Sequence, residues 1–591
     1  MHTINHIVYL AAIGLLLVPA TIFAQDTTLN RSVTVERDFQ PIIQSAGIIA
    51  QQPEIIEQHS TEPTPVTYST TSAKPLSPSK NISPLGCSLT TWEQPKPLRG
   101  YVGGGIGHTN TVFDFAYRIN DTKSKIDFQT FAQHRASWGR YTVSNSTFGL
   151  SIAKSWTATQ LYFGADAQNR FLSLSGRYVD TTGVMHVQFS KMQPHDYLSF
   201  WTVNTHIGLR SMPGKDLQYR VQTGYTAFVG NNAETVENQI RTIAEITYRT
   251  GQHQFGAKAY LYNFLLSVDN AMAIPDSLYS NRHRIHIEPF YQFDANRFHA
   301  HIGVNIDLLT GRGQLMSSSP NLAFAPSPNV RLEYDLTRDW LAIYAHAQGN
   351  LVEGSLKSYN EAMPYRTLNR GITTKHVPAY TPIDAKLGLI IRPQANLLID
   401  VFGQYQLLRN QRTDIAPMYW ELRQTTGNNN LFADYCYSHG SRWTVGAEIR
   451  YHYQDIVNIL VAGNYYIHSL DSLENSALAA AIRTADGNLP ALDAPKWNLQ
   501  VNVDARINRH WSVFTHNHFA GSRTVVLTDY TTYRTYRLIP TIELNLGAQY
   551  DFNKYLNVYC TLNNILHRFN PVYYGYSVPG INFIIGANYK F

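Results

Sequence analysis

The sequence predicts an all-β protein, a transmembrane antiparallel β-barrel of roughly 16–22 strands that follows an extended periplasmic segment. Three observations predict this fold. The last strand alternates strictly and closes on an aromatic residue, similar strands recur over the preceding chain with no intervening helix, and charged residues are scarce. A barrel of this kind belongs in the outer membrane of a Gram-negative bacterium, because a closed sheet satisfies every backbone group in hydrocarbon.

The first 24 residues are interpreted as a secretory signal peptide. Residues 8–24 are apolar, Pro19 lies near their end, and Ala24 offers a small residue for cleavage. The stretch before them carries no Lys or Arg. The alternative is a transmembrane helix, which needs about 20 apolar residues with anchored flanks. We therefore expect residues 1–24 to direct export.

Residues 25–98 differ in composition from the rest of the chain. From Pro53 onward this segment is rich in Pro, Ser and Thr. Such a stretch cannot bury enough apolar surface to fold, so we expect a largely disordered periplasmic segment and linker. Its N-terminal part contains a short β-prone sequence, Ser32, Val33, Thr34 and Val35.

Residues 99–591 are predicted to form the barrel. Apolar and polar residues alternate in about 20 segments, and the alternation is cleanest at 298–307, 497–507 and 541–552, each of which is predicted to be a strand. Successive side chains of a strand point to opposite faces. A charge at the bilayer midplane costs about 2–4 kcal/mol, so the polar face must line the lumen and the apolar face must contact outer-membrane lipid. Because periplasmic turns are short, the longer polar stretches are predicted external loops, at 351–380, 409–430 and 469–494.

The last strand of the chain has one apolar face and one mostly polar face. One face presents Phe583, Ile585, Ala587, Tyr589 and Phe591, and the other is mostly polar. We predict that this strand directs membrane assembly, with the barrel-assembly machinery as a partner.

Composition excludes several other classes of protein. Charged residues make up 15% of the chain and aromatic residues 12%, whereas a soluble domain is about one quarter charged. The net charge of +6 comes without a clustered run of Lys and Arg, so no nucleic acid is expected as a partner. Cys87, Cys436 and Cys560 are widely spaced and odd in number, a pattern typical of neither a disulfide framework nor a zinc motif.

The C-terminal region resembles that of the TonB-dependent receptors. The resemblance is carried by Asn563-Asn564-Ile565-Leu566 after a strand, by the loop containing Pro579-Gly580, and by the last strand ending in Phe. It covers about the last 100 residues. A weaker resemblance links residues 35–53 to receptor-like barrels of the Bacteroidota. The resemblance implies solute binding or passage across the outer membrane. The sequence itself offers no motif for a cofactor, and none is expected.

The sequence departs from that family before the barrel. The family has a folded plug there, whereas residues 25–98 are too few and too polar for a full plug. The sequence of Ser32 to Val35 resembles the short segment that pairs with TonB by strand addition. The alternatives are a β-prone tail or a segment that binds another periplasmic or outer-membrane protein.

Candidate chemical sites are few. His299 and His301 lie two positions apart, so both face the lumen with Asp307 and could ligate a metal, although hydrogen-bonded lumen histidines explain them more simply. The glycine-rich residues 100–107 lack the Lys and the helix of a phosphate-binding loop. No spacing of Ser, His and carboxylate residues selects a catalytic triad, so we do not expect an enzyme.

Two functions follow from the sequence. The first is binding or passage of a solute through the barrel, with the external loops selecting the ligand. The alternative is a structural or assembly subunit that recruits a periplasmic partner through residues 25–60.

Overall fold

The computed structural model describes residues 99–591 apart from several short segments. Those segments are 122, 139–141, 174–176, 180–184, 188–196, 231–234, 269–280, 312–321, 338–339, 353, 363–376, 418–433, 455, 529–530 and 575. The predicted signal peptide, the predicted periplasmic segment and the sequence from Ser32 to Val35 all lie outside the described residues.

Twenty-two strand positions within the described residues form one sheet. They are β1 (Gly100–Gly107), β2 (Asn110–Asp121), β3 (Ile126–Ser137), β4 (Val143–Ser155), β5 (Thr159–Ser173), β8 (Tyr197–Ser211), β9 (Leu217–Gly230), β10 (Thr235–Thr250), β11 (His253–Val268), β12 (Arg282–Asp294), β13 (Phe298–Gly311), β14 (Leu322–Thr337), β15 (Leu341–Val352), β16 (Ala379–Gln394), β17 (Leu397–Pro417), β18 (Asp434–Tyr453), β19 (Val457–Leu473), β20 (Trp497–Arg506), β21 (Trp511–Ala520), β24 (Thr541–Glu543) with β25 (Leu546–Asp551), β26 (Leu556–Asn563) and β29 (Asn582–Lys590).

Three short hairpins lie in the connections between these strands. They are β6 (Arg177–Val179) with β7 (Met185–Val187), β22 (Arg523–Thr528) with β23 (Tyr533–Leu538), and β27 (Pro571–Tyr573) with β28 (Tyr576–Ser577).

The sheet closes on itself between its first and last strands. Val102 on β1 lies opposite Phe115 on β2 and opposite Tyr589 on β29, and both pairings are antiparallel. Neighbouring barrel strands are antiparallel, and because β1 pairs with β29 the described sheet has no open edge. The prediction of an antiparallel barrel is confirmed, and its strand number is at the upper end of the predicted range.

The outer face of the barrel is an apolar belt. Leu387 on β16 and Ile585 on β29 are 58% and 52% exposed, and aliphatic or aromatic residues occupy the corresponding positions of the other strands. Cys560 is also exposed and lies beside Ile585 on this face. Polar and charged residues occupy the inner face, as the alternation predicted. The belt is the surface that hydrocarbon chains would cover.

Aromatic side chains inside the barrel cover glycines on adjacent strands. The Tyr344 ring lies where a side chain at Gly388 would stand, and the Phe402 ring lies where one at Gly446 would stand. Such pairs fix the register of neighbouring strands. The same arrangement recurs at Phe131 and Gly149, Phe290 and Gly256, Phe514 and Gly547, and Tyr559 and Gly586.

The two ends of the barrel differ in the length of their connections. Strands joined by short turns meet at one end, as at residues 251–252 and 395–396, and the long connections lie at the other. We assign the long connections to the cell exterior because periplasmic turns are short. Two of them contain helices, Leu356–Ala362 and Ser476–Ile482, so the prediction that no helix interrupts the strands is wrong there. Neither described helix is long and apolar enough to cross a membrane.

The second helix belongs to a small external core. Asn475 caps its N-terminus by accepting the N–H of Leu478 at 2.9 Å. The helix packs against β19 and β23. The hairpin partner of β23, β22, pairs in parallel with the end of β17 between Ile415 and Val526. The core consists of Ile415, Cys436, Leu473, Leu478, Ala479, Ile482, Leu489 and Val526.

Two boundaries differ from the prediction: the start of one loop and the continuity of one strand. Pairing with β22 extends β17 to Pro417, so the connection predicted to begin at 409 begins at 418. The strand predicted over 541–552 is interrupted at 544–545, where the Asn545 side chain donates to the His516 carbonyl at 2.8 Å. The alternation continues across this break.

Candidate functional site

Four adjacent strands bring basic residues together on the inner wall. His301 on β13 lies opposite Arg331 on β14, Arg331 lies opposite His346 on β15, and His346 lies opposite Lys386 on β16. Directly opposite residues of neighbouring antiparallel strands point to the same face with Cβ atoms about 5 Å apart. We call these four residues the luminal basic row.

The two ends of the luminal basic row have acidic and aromatic neighbours. His301 Nε2 lies 3.9 Å from Glu288 Oε1, and its ring stacks on Phe290 with 4.9 Å between centroids. Lys386 Nζ lies 3.7 Å from Asp400 Oδ2 and 3.6 Å from the centroid of Phe402. Both ends are therefore held in place by the wall.

The centre of the row is different. Arg331 is exposed, and within the residues that the structure describes its guanidinium makes no hydrogen bond or ion pair. The ring of its neighbour His346 packs on Tyr344, with 4.9 Å between centroids. The row thus presents one free cation to the lumen between supported neighbours.

A buried ionic network supports the row from the β12 side. Arg284 Nε donates to Asp307 Oδ1 at 2.7 Å, and the same oxygen lies 2.9 Å from His286 Nδ1. Glu288 accepts from Lys258 at 3.0 Å and from Asn329 at 2.8 Å. Breaking a buried pair leaves an uncompensated charge and costs about 3–5 kcal/mol. These carboxylates are therefore fully engaged with their own partners.

The described start of the connection between β15 and β16 is bound to β10 and β12. Glu237 on β10 accepts the N–H of Leu356 at 2.6 Å, and Arg282 on β12 donates to the carbonyl of Gly354. Both side chains are buried. The start of this connection is therefore attached to strands on the far side of the row.

A cavity of about 520 Å³ lies in the inner wall near the short-turn end. Asp504 and His516 meet at its edge with 3.0 Å between Oδ1 and Nε2. The cavity is lined by Ala395, Asn396, Leu397, Leu398, Arg450, Tyr451, His452, Asn458, Ile459, Leu460, Asn502, Asp504 and His516.

No protein-family model matches the sequence, and no curated protein is significantly similar to it. Solved structures do match. The pyoverdine outer-membrane receptor FpvA of Pseudomonas aeruginosa PAO1 gives a TM-score of 0.59 at 13% identity, over 84% of this chain and 79% of that one. The FrpB iron transporter of Neisseria meningitidis gives 0.59 at 10% identity, over 84% and 82%. A variant of the P. aeruginosa ferric enterobactin receptor gives 0.57 at 11% identity, over 83% and 80%.

The chain has the TonB-dependent receptor fold. At these identities the likeness concerns the fold, and the candidate site rests on the residues of this chain.

The candidate metal ligands lie in separate surroundings within this receptor fold. His299 Nδ1 is 3.1 Å from Asp294 Oδ1 near the short-turn end, whereas His301 faces Glu288. Asp307 is occupied by Arg284 and His286. Among the described residues no group of three or more His, Cys, Asp or Glu side chains is arranged to hold a metal ion.

The residues singled out on the last strand all lie on the outer face. Phe583, Ile585, Tyr589 and Phe591 are exposed there, and the Phe591 ring covers Gly100 on β1. The backbone carbonyl of Phe591 accepts the N–H of Gly100 at 2.8 Å, which ties the C-terminus to the first strand.

Proposed function

We propose that this protein is an outer-membrane barrel that binds a solute or passes it across the membrane, and that it is not an enzyme. The observation that carries the proposal is Arg331, an exposed cation without an ion pair on the inner wall of the described barrel. On the same wall Arg284 and Lys258 are paired with Asp307 and Glu288, whereas the charge of Arg331 is open to a ligand. The receptor fold supports the same proposal.

The proposal includes the segments that precede the barrel. Residues 1–24 would direct export, residues 25–98 would form a reduced periplasmic segment in place of a full plug, and residues 99–591 would form the barrel in the outer membrane. This arrangement would match receptor-like barrels of the Bacteroidota. The apolar belt would contact lipid, and the last strand would engage the barrel-assembly machinery.

Energy for solute uptake would be supplied by a partner protein. The segment Ser32 to Val35 would pair with TonB, or with another periplasmic protein, by strand addition. The solved relatives support solute uptake as the activity, since one of them is a pyoverdine receptor bound to pyoverdine and another is an iron transporter.

The test is conductance in a planar bilayer, comparing mature protein with a variant lacking residues 25–98. Steady conductance in the mature protein would indicate a diffusive pore. Conductance only after deletion would indicate that the N-terminal segment closes the lumen and that uptake requires a partner.

Absence of conductance in both folded proteins would contradict passage of a solute through the barrel. It would favour the second function, a structural or assembly subunit that recruits a periplasmic partner through residues 25–60. Heat-modifiable migration on a denaturing gel would verify that both proteins are folded.

A further inference from the structure

We infer that the luminal basic row binds an anionic group of the solute, a carboxylate or a phosphate, and that Arg331 is its principal contact. This inference rests on the proposed function, since it names the class of solute that the barrel would accept. It concerns binding at one wall of the lumen and does not depend on whether the pore is open.

The chemistry of Arg331 favours an anion with two oxygen atoms. A guanidinium presents its N–H groups as a planar fork that matches the geometry of a carboxylate or phosphate. Such bidentate contacts are shorter and about twice as strong as hydrogen bonds between neutral groups. In the described barrel the fork of Arg331 is exposed and has no protein acceptor.

The acidic residues closest to the row do not neutralise Arg331. Glu288 is held by Lys258 and Asn329, and Asp400 accepts the Tyr344 hydroxyl at 2.8 Å while it faces Lys386. Glu333, two positions from Arg331 on the same face, makes no ion pair with it in the described structure. The free charge is therefore available to a ligand.

The neighbours of Arg331 hold the wall on either side of it in place. His346 and Lys386 follow on the next two strands. The ammonium group of Lys386 lies over the Tyr344 and Phe402 rings. These rings in turn cover Gly388 and Gly446. A lysine ammonium favours anions as a point charge. The row therefore offers one free fork-shaped donor, Arg331, while Lys386 two strands away faces Asp400.

The experiment measures binding of citrate and of inorganic phosphate to the folded full-length protein in detergent micelles by isothermal titration calorimetry. Sucrose is the neutral comparison. We expect an anion to bind the native protein and sucrose not to bind at the same concentration. Citrate binding without phosphate binding would assign the site to carboxylates, and the reverse would assign it to phosphates.

The decisive variant is Arg331→Gln, which we expect to weaken anion binding by roughly tenfold or more, the effect of losing one charge-assisted contact. Arg331→Lys keeps the charge without the fork and should lie in between. The matched control is Arg506→Gln, which removes another cation from the inner face of β20, where Arg506 donates to backbone carbonyls of the neighbouring turn.

Two outcomes would overturn the inference. One is that neither anion binds the folded native protein, and the other is that Arg331→Gln binds as tightly as native protein. Either result could occur while the barrel still conducts, in which case solute passage would stand without an anion site. Conversely, anion binding to a barrel that never conducts would retain the site and contradict the transport role.

Discussion

Glu237 on β10 accepts the backbone N–H of Leu356 at 2.6 Å, although 119 positions separate the two residues in the chain. The carboxylate is 0% exposed, and it also accepts from the N–H of Lys357 at 3.4 Å. These two groups begin a short helix and have no partner inside it. The contact therefore fixes the start of the helix Leu356–Ala362 against β10.

Replacing this carboxylate should release the connection. In Glu237→Ala, buried backbone N–H groups lose their acceptor, which costs about 1–3 kcal/mol for each unsatisfied group. We expect proteinase K to cleave within residues 353–362 several times faster than in native protein, with the barrel still heat-modifiable. Glu361→Ala is the control, because that carboxylate is exposed and lies 3.9 Å from Lys357 on the helix surface. Equal cleavage rates for Glu237→Ala and native protein would contradict the proposed attachment.

Close packing of an aromatic ring on glycine can be tested at Gly446. A methyl group there would overlap the Phe402 ring, which lies 3.6 Å from Lys386 Nζ. Overpacking of this kind costs about 1–3 kcal/mol. We expect Gly446→Ala to lower the midpoint of thermal unfolding. The midpoint is measured as the temperature at which heat-modifiable migration is lost.

Gly403 provides the matched control for this substitution. It belongs to the strand that carries Phe402 but faces outward, and a methyl group there would meet nothing within 4 Å. Gly403→Ala should therefore leave the midpoint unchanged. A destabilisation of equal size in both variants would show that the effect comes from the loss of glycine itself and not from the Phe402 ring.

Alternation of residues was sufficient to predict the barrel and the direction of its side chains. It placed His301 and Asp307 inside and Ile302 outside, and the structure confirms these faces. It could not predict the strand ends that depend on distant contacts. β17 extends to Pro417 because β22 pairs with it, and β22 is more than 100 positions away in the chain.

The candidate site could be predicted only in part, for the same physical reason. His301 was selected as a lumen residue, but its pairing with Arg331 and the position of Lys386 two strands further depend on register across long connections. A sequence pattern of period two carries no information on register between strands. Arg331 could have been found as an inward charge on an alternating strand, but not as an unpaired one.

The external core makes a separate prediction. Val526 is 0% exposed and packs with Ile415 and Leu478. An unpaired carboxylate buried there costs several kcal/mol. We expect Val526→Asp to unfold this core locally, so that proteinase K cleaves the connection between β21 and β24 while the barrel remains folded. The cross-strand partner of Val526 is the exposed Thr535, and Thr535→Asp should leave cleavage unchanged. Loss of the whole barrel in Val526→Asp would contradict the independence of the two parts.

The seam between the first and last strands makes the sharpest prediction about assembly. The Phe591 ring covers Gly100 and stacks near Tyr589 with 6.0 Å between centroids, while its backbone binds the first strand. We expect Phe591→Ser to abolish insertion into the outer membrane while export continues, because the ring is lost from both the lipid-facing belt and the seam. Phe552→Ser is the control, since Phe552 is also an exposed aromatic, at 54%, but lies in a turn away from the seam. The measurement is the amount of heat-modifiable protein in outer-membrane fractions. Normal amounts of Phe591→Ser would show that the terminal ring is dispensable for assembly, whereas a loss in both variants would assign the effect to aromatic residues of the rim in general.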